Sequence, residues 1–173
     1  MKFLKFLLVV LFIFLVGCKK SGNPDEPFVN NKLNNSWLEK IIRNSDSTHT
    51  KPYFRREFVT ASYYINKKDS TLCQVMRDSS EKVRQVIITK NDIRTFFSQY
   101  YPNGQAVFIN HLKEDGKFEG DAVNYYLNGK VKSKGEYHDG LYSGVWEYYD
   151  ENGRLIRKEE YDSNGQRIKT DNF

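Results

Sequence analysis

The chain has 173 residues, 39% of them hydrophobic and 28% charged, with a formal net charge of +5. These averages hide a division, because fifteen of the first 18 residues are apolar, leaving about 34% hydrophobic, 22 aromatics and a net charge of +3 for the other 155. That remainder suffices for one domain and excludes a large multidomain enzyme. It is too aromatic for wholesale disorder, and without an apolar run of about 20 residues it excludes a multi-spanning transporter.

Met1-Lys2-Phe3-Leu4-Lys5 is a short basic start, followed by an unbroken apolar run from Phe6 to Val16. Charge followed by a short apolar stretch is the layout of an export signal rather than of a spanning helix. The stretch closes on Leu15-Val16-Gly17-Cys18, which resembles the lipobox of bacterial lipoproteins. The resemblance implies a signal peptide over 1–17, cut before a Cys18 that carries diacylglycerol and an acylated amino group. More than one acyl chain matters, since a single one anchors only marginally. Lys19 is not the aspartate associated with inner-membrane retention, which points to the outer membrane, on its periplasmic or surface face. With Cys18 lipidated, Cys73 has no disulfide partner, so a disulfide-stapled fold is excluded. Cys73 lies in an alternating stretch and reads as a small buried strand residue.

Residues 19–35 are rich in Lys, Ser, Gly, Asn and Pro, so 18–35 reads as a lipidated cysteine and tether with a reach of about 55 Å. Residues 36–95 form the next region. Ser36 and Glu39 have the spacing of a capping box, and Trp37, Leu38, Ile41 and Ile42 share one side of a short helix that needs a sheet to cover. Asn44 to Lys51 reads as a polar connection. Strands are expected at Phe58–Ile65, Leu72–Met76 and Val83–Thr89. Asn91 to Phe97 fits either a short capped helix or the opening of another strand.

Residues 96–173 carry a repeat. Tyr100-Tyr101-Pro102-Asn103-Gly104, Tyr125-Tyr126-Leu127-Asn128-Gly129 and Tyr148-Tyr149-Asp150-Glu151-Asn152-Gly153 are versions of one phrase, and Asn164-Gly165 follows. A second phrase, Gly116 to Gly120 and then Gly140 to Gly144, recurs 24 residues apart. Such self-similarity signals a stacked or meandering repeat. Asn-Gly suits a two-residue hairpin turn with positive φ at both positions, and the glycine pairs suit a second, wider turn. Each period then contains two antiparallel strands. On this reading Leu127 faces Lys130 and Tyr126 faces Val131. Tyr101, Tyr126 and Tyr149 form one row across the sheet, and Tyr100, Tyr125 and Tyr148 another.

At these residues the chain resembles the MORN-repeat family, and more closely the variant found in the YwqK-like antitoxin family. Tyr137 through Gly144, Trp146, Tyr148-Tyr149, Asn152-Gly153, Leu155 and Tyr161 carry the best copy. The copy before it has Ala122 where the pattern prefers an aromatic, and Tyr63-Tyr64-Ile65-Asn66-Lys67 has the outline of a degenerate earlier copy. The resemblance implies a mainly β hairpin-repeat meander and an interaction module for proteins or lipids. The antitoxin label implies neutralisation outside the cytoplasm, as an immunity protein would act, because a cytosolic antitoxin needs no lipobox.

No phosphate loop, nucleophile elbow or metal-ligand spacing occurs, so no cofactor, metal or catalytic residue is expected. Glu159 and Glu160 point to opposite strand faces, and His138 reads as a solvated turn residue. The pI near 9.0 raises nucleic acid, which export argues against, while Lys130, Lys132 and Lys134 suit anionic membrane or cell-surface polymer. The expectation is a lipid-anchored, non-enzymatic binding module that, if one sheet face is open, offers Tyr125, Tyr142, Trp146 and Tyr148 to a protein or glycan partner. The competing reading is that they are the packed core of the sheet, and for Trp146 that reading is favoured.

Overall fold

The computed structural model describes residues 23, 25–55 and 58–173, with the backbone alone at 54 and 55. The signal peptide, Cys18 and the first part of the tether lie outside the described residues. From the N-terminal side come β1 (Phe28–Val29), β2 (Lys32–Leu33) and helix α1 (Asn35–Arg43). A five-stranded sheet follows in the order β3 (Ser47–Arg55), β4 (Phe58–Asn66), β5 (Thr71–Arg77), β6 (Val83–Lys90) and β7 (Ile93–Gln99). The last sheet has six strands, β8 (Phe108–Leu112), β9 (Phe118–Tyr125), β10 (Val131–His138), β11 (Leu141–Tyr149), β12 (Leu155–Tyr161) and β13 (Arg167–Asn172). Every pairing from β3 to β13 joins sequence neighbours in antiparallel fashion, as the repeat predicts. The Val107 N–H donates to Gln99 O and a Tyr100–Ala106 bridge forms beside it, so the meander continues from one sheet to the next.

Helix α1 buries the face that the sequence predicts, with Leu38 in the core and Trp37, Ile41 and Ile42 packed around it. They cover Cys73, Val75 and Val86 of the five-stranded sheet together with Tyr100, Ala106 and Tyr125 at the junction. The N-cap, however, is Asn34 rather than Ser36. Asn34 Oδ1 accepts from Ser36 N–H at 3.1 Å, while its amide nitrogen donates to Asn23 O and Glu26 O at 2.9 and 2.8 Å. Those last two bonds tie down the incoming chain, and the expected tether correspondingly ends near Asn23 instead of Asn35. Phe28 packs against Phe96 and Tyr100, and Ala106 N–H donates to Asn31 O.

Two other segments differ from expectation. The polar connection expected to run to Lys51 gives way at Ser47 to β3, whose exposed residues show no apolar alternation because it is an edge strand. Asn91-Asp92 is a hairpin turn with φ of 49° and 64°, which resolves the ambiguous segment as β7.

The turn types differ in part from the sequence reading, although Gly116 closes a turn wider than two residues, with Gly116 N–H donating to Lys113 O and Lys113 N–H to Lys117 O. At Asn128-Gly129 only the glycine has positive φ; Gly129 N–H donates to Tyr126 O and Tyr126 N–H to Lys130 O. This is a three-residue loop closed by a glycine bulge, so Val131 pairs with Tyr125 rather than Tyr126. Turns beginning at Tyr101, Asp150 and Asp162 have the same bonds. The two-residue turn with both φ values positive is instead Asp139-Gly140, at 53° and 83°, pairing His138 with Leu141. Gly144 (φ 61°) lies within β11, where its register with β10 shifts, so it forms a bulge and not part of a wide turn.

Candidate partner-binding surface

The tyrosine rows follow from these turns. Tyr101 and Tyr126 occupy the first turn position, and Asp150 is their counterpart in the next repeat. Their hydroxyls reach across one repeat, Tyr101 to Tyr125 O at 2.9 Å and Tyr126 to Tyr149 O at 2.7 Å. Asn103 and Asn128 do the same through their amides, donating to Leu127 O at 3.0 Å and Glu151 O at 3.1 Å. Thus Tyr149, not Tyr148, is the counterpart of Tyr125. The extra residue in Tyr148-Tyr149-Asp150-Glu151 shifts the phrase by one place, and in a strand one place changes the face.

One face of the six-stranded sheet continues the helix-covered core from Tyr125 through Val123 and Val131, then becomes charged. Lys134 and Glu147 pair on this face, with Glu147 also receiving Lys158 at 2.8 Å and the Tyr149 hydroxyl at 2.6 Å. Hydrogen bonds from Lys158, Tyr149 and Lys134 hold the Glu147 carboxyl down at about 2. Asp121, Glu136, Lys134 and Glu147 border an open concavity of about 620 Å³. The lysine strand is largely engaged: Lys130 donates to Asn152 O, Lys132 lies over the Tyr126 ring, and Lys134 is 3.0 Å from Glu147.

The opposite face is aromatic. Phe118, Tyr137, Tyr142 and Tyr161 step across four strands with ring centroids 5.2, 5.2 and 5.0 Å apart. Beneath them, Trp146 is 1% exposed, 4.5 Å from the Tyr142 ring, and donates from Nε1 to Glu136 O at 3.0 Å. Gly135 makes that possible, since a Cβ there would fall 2.4 Å from the indole. Beside the row, the buried Glu159 accepts from Tyr161 at 2.8 Å and from Arg167 at 2.7 Å. Burial opposes its charge, but hydrogen bonds from Tyr148, Tyr161 and Arg167 and the charge of Arg157 outweigh that and hold the carboxyl below its ordinary value. Burial raises the Tyr148 phenol, so it remains protonated as a donor.

The four aromatic residues expected to meet a partner therefore separate. Trp146 and Tyr125 are core residues with no ring surface to offer, whereas Tyr142 is 39% exposed and Tyr148 half-buried. Phe118, Tyr137 and Tyr161 join Tyr142, a grouping that the turn phrases did not reveal because these residues lie outside the Tyr-Tyr pairs. Tyr142 and Tyr161 stack on each other at 21°, the Phe118–Tyr137 and Tyr137–Tyr142 contacts are tilted at 32° and 42°, and Arg157 caps Tyr148 at 4.2 Å. At the Tyr142–Tyr161 pair the row consequently presents edges and hydroxyls rather than flat platforms. His49 stacks on Tyr63, His111 is exposed on β8, and His138 contacts Glu119 at 3.0 Å. Among the described residues, no three His, Cys, Asp or Glu side chains gather in a way that could hold a metal ion.

The MORN repeat variant family matches residues 118–139 and 142–163, two adjacent repeats spanning β9 to β12. No curated protein matches the chain. A structure of accessory secretory protein 1, 2 and 3 from Streptococcus pneumoniae is similar at 19% identity and a TM-score of 0.32, over 55% of this chain and 18% of that one. An S. aureus TarM mutant in complex with Fondaparinux, alpha-GlcNAc-glycerol and UDP is similar at 13% identity and a TM-score of 0.24, over 82% and 22%. The chain thus spans about a fifth of the length of these two structures, and neither likeness bears on its function.

Proposed function

We propose that the chain is a lipid-anchored, non-enzymatic binding module that captures a protein outside the cytoplasm through the edge of the Tyr142 row. The observation that carries this reading is a half-buried aromatic row, exposed at Tyr142, on the two segments that match the MORN repeat variant. Phenol edges combine an apolar body with a hydrogen-bonding tip, a combination suited to protein interfaces. A glycan is the weaker partner because stacking sugars need open ring faces, and the exposed Tyr142 ring is stacked on Tyr161 at 21°. The polar groups beside the row support a non-enzymatic role, with Glu159 held by arginine and tyrosine rather than poised for proton transfer.

The lipobox supports acylation of Cys18. With the chain docked from Asn23 onward, four residues separate the anchor from the body, and the five steps from Cys18 to Asn23 span at most about 18 Å, so the domain stays close to the bilayer. Neutralising a secreted toxin is one form that such capture could take, tested by co-expression with a neighbouring-gene product.

The decisive experiment is crosslinking capture from surface-labelled cells with the parent chain, Tyr142→Phe and Tyr161→Phe. Loss of the captured protein in correctly folded phenylalanine variants is the expected result. Undiminished capture, together with its loss on altering α1 or the N-terminal arm, would move the site elsewhere. Palmitate labelling of the parent but not of Cys18→Ser tests the anchor separately.

A further inference from the structure

Charge is divided unequally between the two faces of β11 to β13. Strand alternation puts Glu147, Lys158 and Asp171 in one cross-strand row, and Trp146, Glu159 and Thr170 in the next row on the opposite face. On the first face the acids meet lysines, Glu147 with Lys134 and Lys158, and Asp171 with Lys169. On the aromatic face two cations share one acid, because Arg157 and Arg167 both approach Glu159 Oε1, at 3.3 and 2.7 Å. The carboxylate is sealed, with 4% of its side chain exposed, whereas the arginine side chains are 41% and 56% exposed. What solvent meets beside the Tyr142–Tyr161 stack is therefore cationic.

Glu159 does not use up either arginine. Arg167 commits one Nη1 donor to it, and the Arg157 Nε lies near the same oxygen but has no hydrogen-bond acceptor among the described residues. A guanidinium carries five N–H donors, so most of both forks remain free for an external acceptor. Both are held in position, Arg157 by the Tyr148 ring 4.2 Å beneath it and Arg167 by a carboxylate that the Tyr161 hydroxyl fixes at 2.8 Å. Planar forks held in this way match carboxylates in bidentate geometry.

We infer that the protein captured on the Tyr142 row presents an aspartate or glutamate side chain that seats across Arg157 and Arg167. The inference rests on the reading of this row as a protein-binding surface and names the chemistry that the row recognises. Two guanidiniums and one carboxylate leave one positive charge, which a single further carboxylate cancels. A phosphate monoester, at about −1.5 to −2, overshoots it. The exposed Tyr142 edge, with its ring 5.0 Å from that of Tyr161, supplies apolar contact beside the charge.

The test is fluorescence anisotropy of a labelled glutamate–tyrosine copolymer with the full chain in detergent. A lysine–tyrosine copolymer of equal length and inorganic phosphate serve as comparisons. The acidic copolymer should bind, weaken as salt is added and resist displacement by phosphate. Arg157→Gln should weaken it at least about threefold, with Arg167 still present to neutralise Glu159. Glu159→Gln leaves both guanidiniums unpaired by charge and should tighten binding, whereas a merely structural cluster would lose it. Lys68→Gln removes the same charge from the β4–β5 turn and should change nothing. No binding, equal binding of the lysine copolymer, displacement by phosphate, or equal loss in Lys68→Gln would overturn the inference. Loss in Tyr142→Phe with none in Arg157→Gln would overturn it while leaving the Tyr142 row as the binding surface. Loss in Arg157→Gln with none in Tyr142→Phe would overturn the reading of the row instead.

Discussion

Gly135 and Trp146 provide the sharpest test of the sheet's packing. A methyl group at residue 135 would lie 2.4, 2.6 and 2.6 Å from indole Cδ2, Cε2 and Cγ. Ordinary carbon contacts begin near 3.5 Å, so the overlap is about 1 Å, and the fixed backbone supplies one side of it. The indole cannot retreat freely, because Nε1 is bonded to Glu136 O and Tyr137 and Tyr142 hold its flanks at 5.2 and 4.5 Å. Gly135→Ala should therefore cost about 1–3 kcal/mol as overpacking. Trp146→Ala should cost about 3–5 kcal/mol by removing a buried ring. In the double variant the vacated space accepts the methyl, so its loss should fall short of the sum by at least about 0.5 kcal/mol. Urea unfolding of all four chains, with the dependence on urea compared for constancy, measures the cycle. Additive losses, or a Gly135→Ala cost below about 0.5 kcal/mol, would refute close packing of the indole on residue 135.

Tyr126→Phe removes the hydroxyl bond to Tyr149 O and should cost about 0.5–1.5 kcal/mol in the same assay, while Leu127→Ala on the exposed turn should stay within about 0.5 kcal/mol. Because the Glu147 carboxyl is depressed from 4.5 to about 2, its contribution is complete above the unfolded value and lost as pH falls through that interval. Glu147→Gln should accordingly lower stability at neutral pH and flatten the acid limb, measured by thermal unfolding across pH. Burial pushes the Cys73 thiol up to about 12, so peptide mapping should find it unalkylated in the native chain at pH 8 and alkylated in denaturant. Native labelling comparable to denatured labelling would show that β5 opens.

Several features were legible because they depend on local chemistry. The apolar side of α1 follows from spacing, and the repeat boundaries follow from glycines at positions such as Gly129 and Gly153, whose φ values of 82° and 87° side chains rarely adopt. The candidate surface was only partly legible. Tyr142 is exposed as expected, but Trp146 is buried because of Gly135 on the neighbouring strand, a contact that no single phrase contains.

The sequence by itself determined that hairpins would repeat, where they would turn and which helix side would be covered, since backbone sterics and hydrophobic spacing act within a few residues. The tertiary structure decided the turn type, the face of each tyrosine, the docking of the N-terminal arm and the pairing of β3. In each case the deciding bond comes from elsewhere: Tyr126 is fixed by Tyr149 O, the arm by Asn34, and β3 by β4. A one-residue difference between repeats leaves composition almost unchanged, but it moves a strand side chain from the core to the opposite surface.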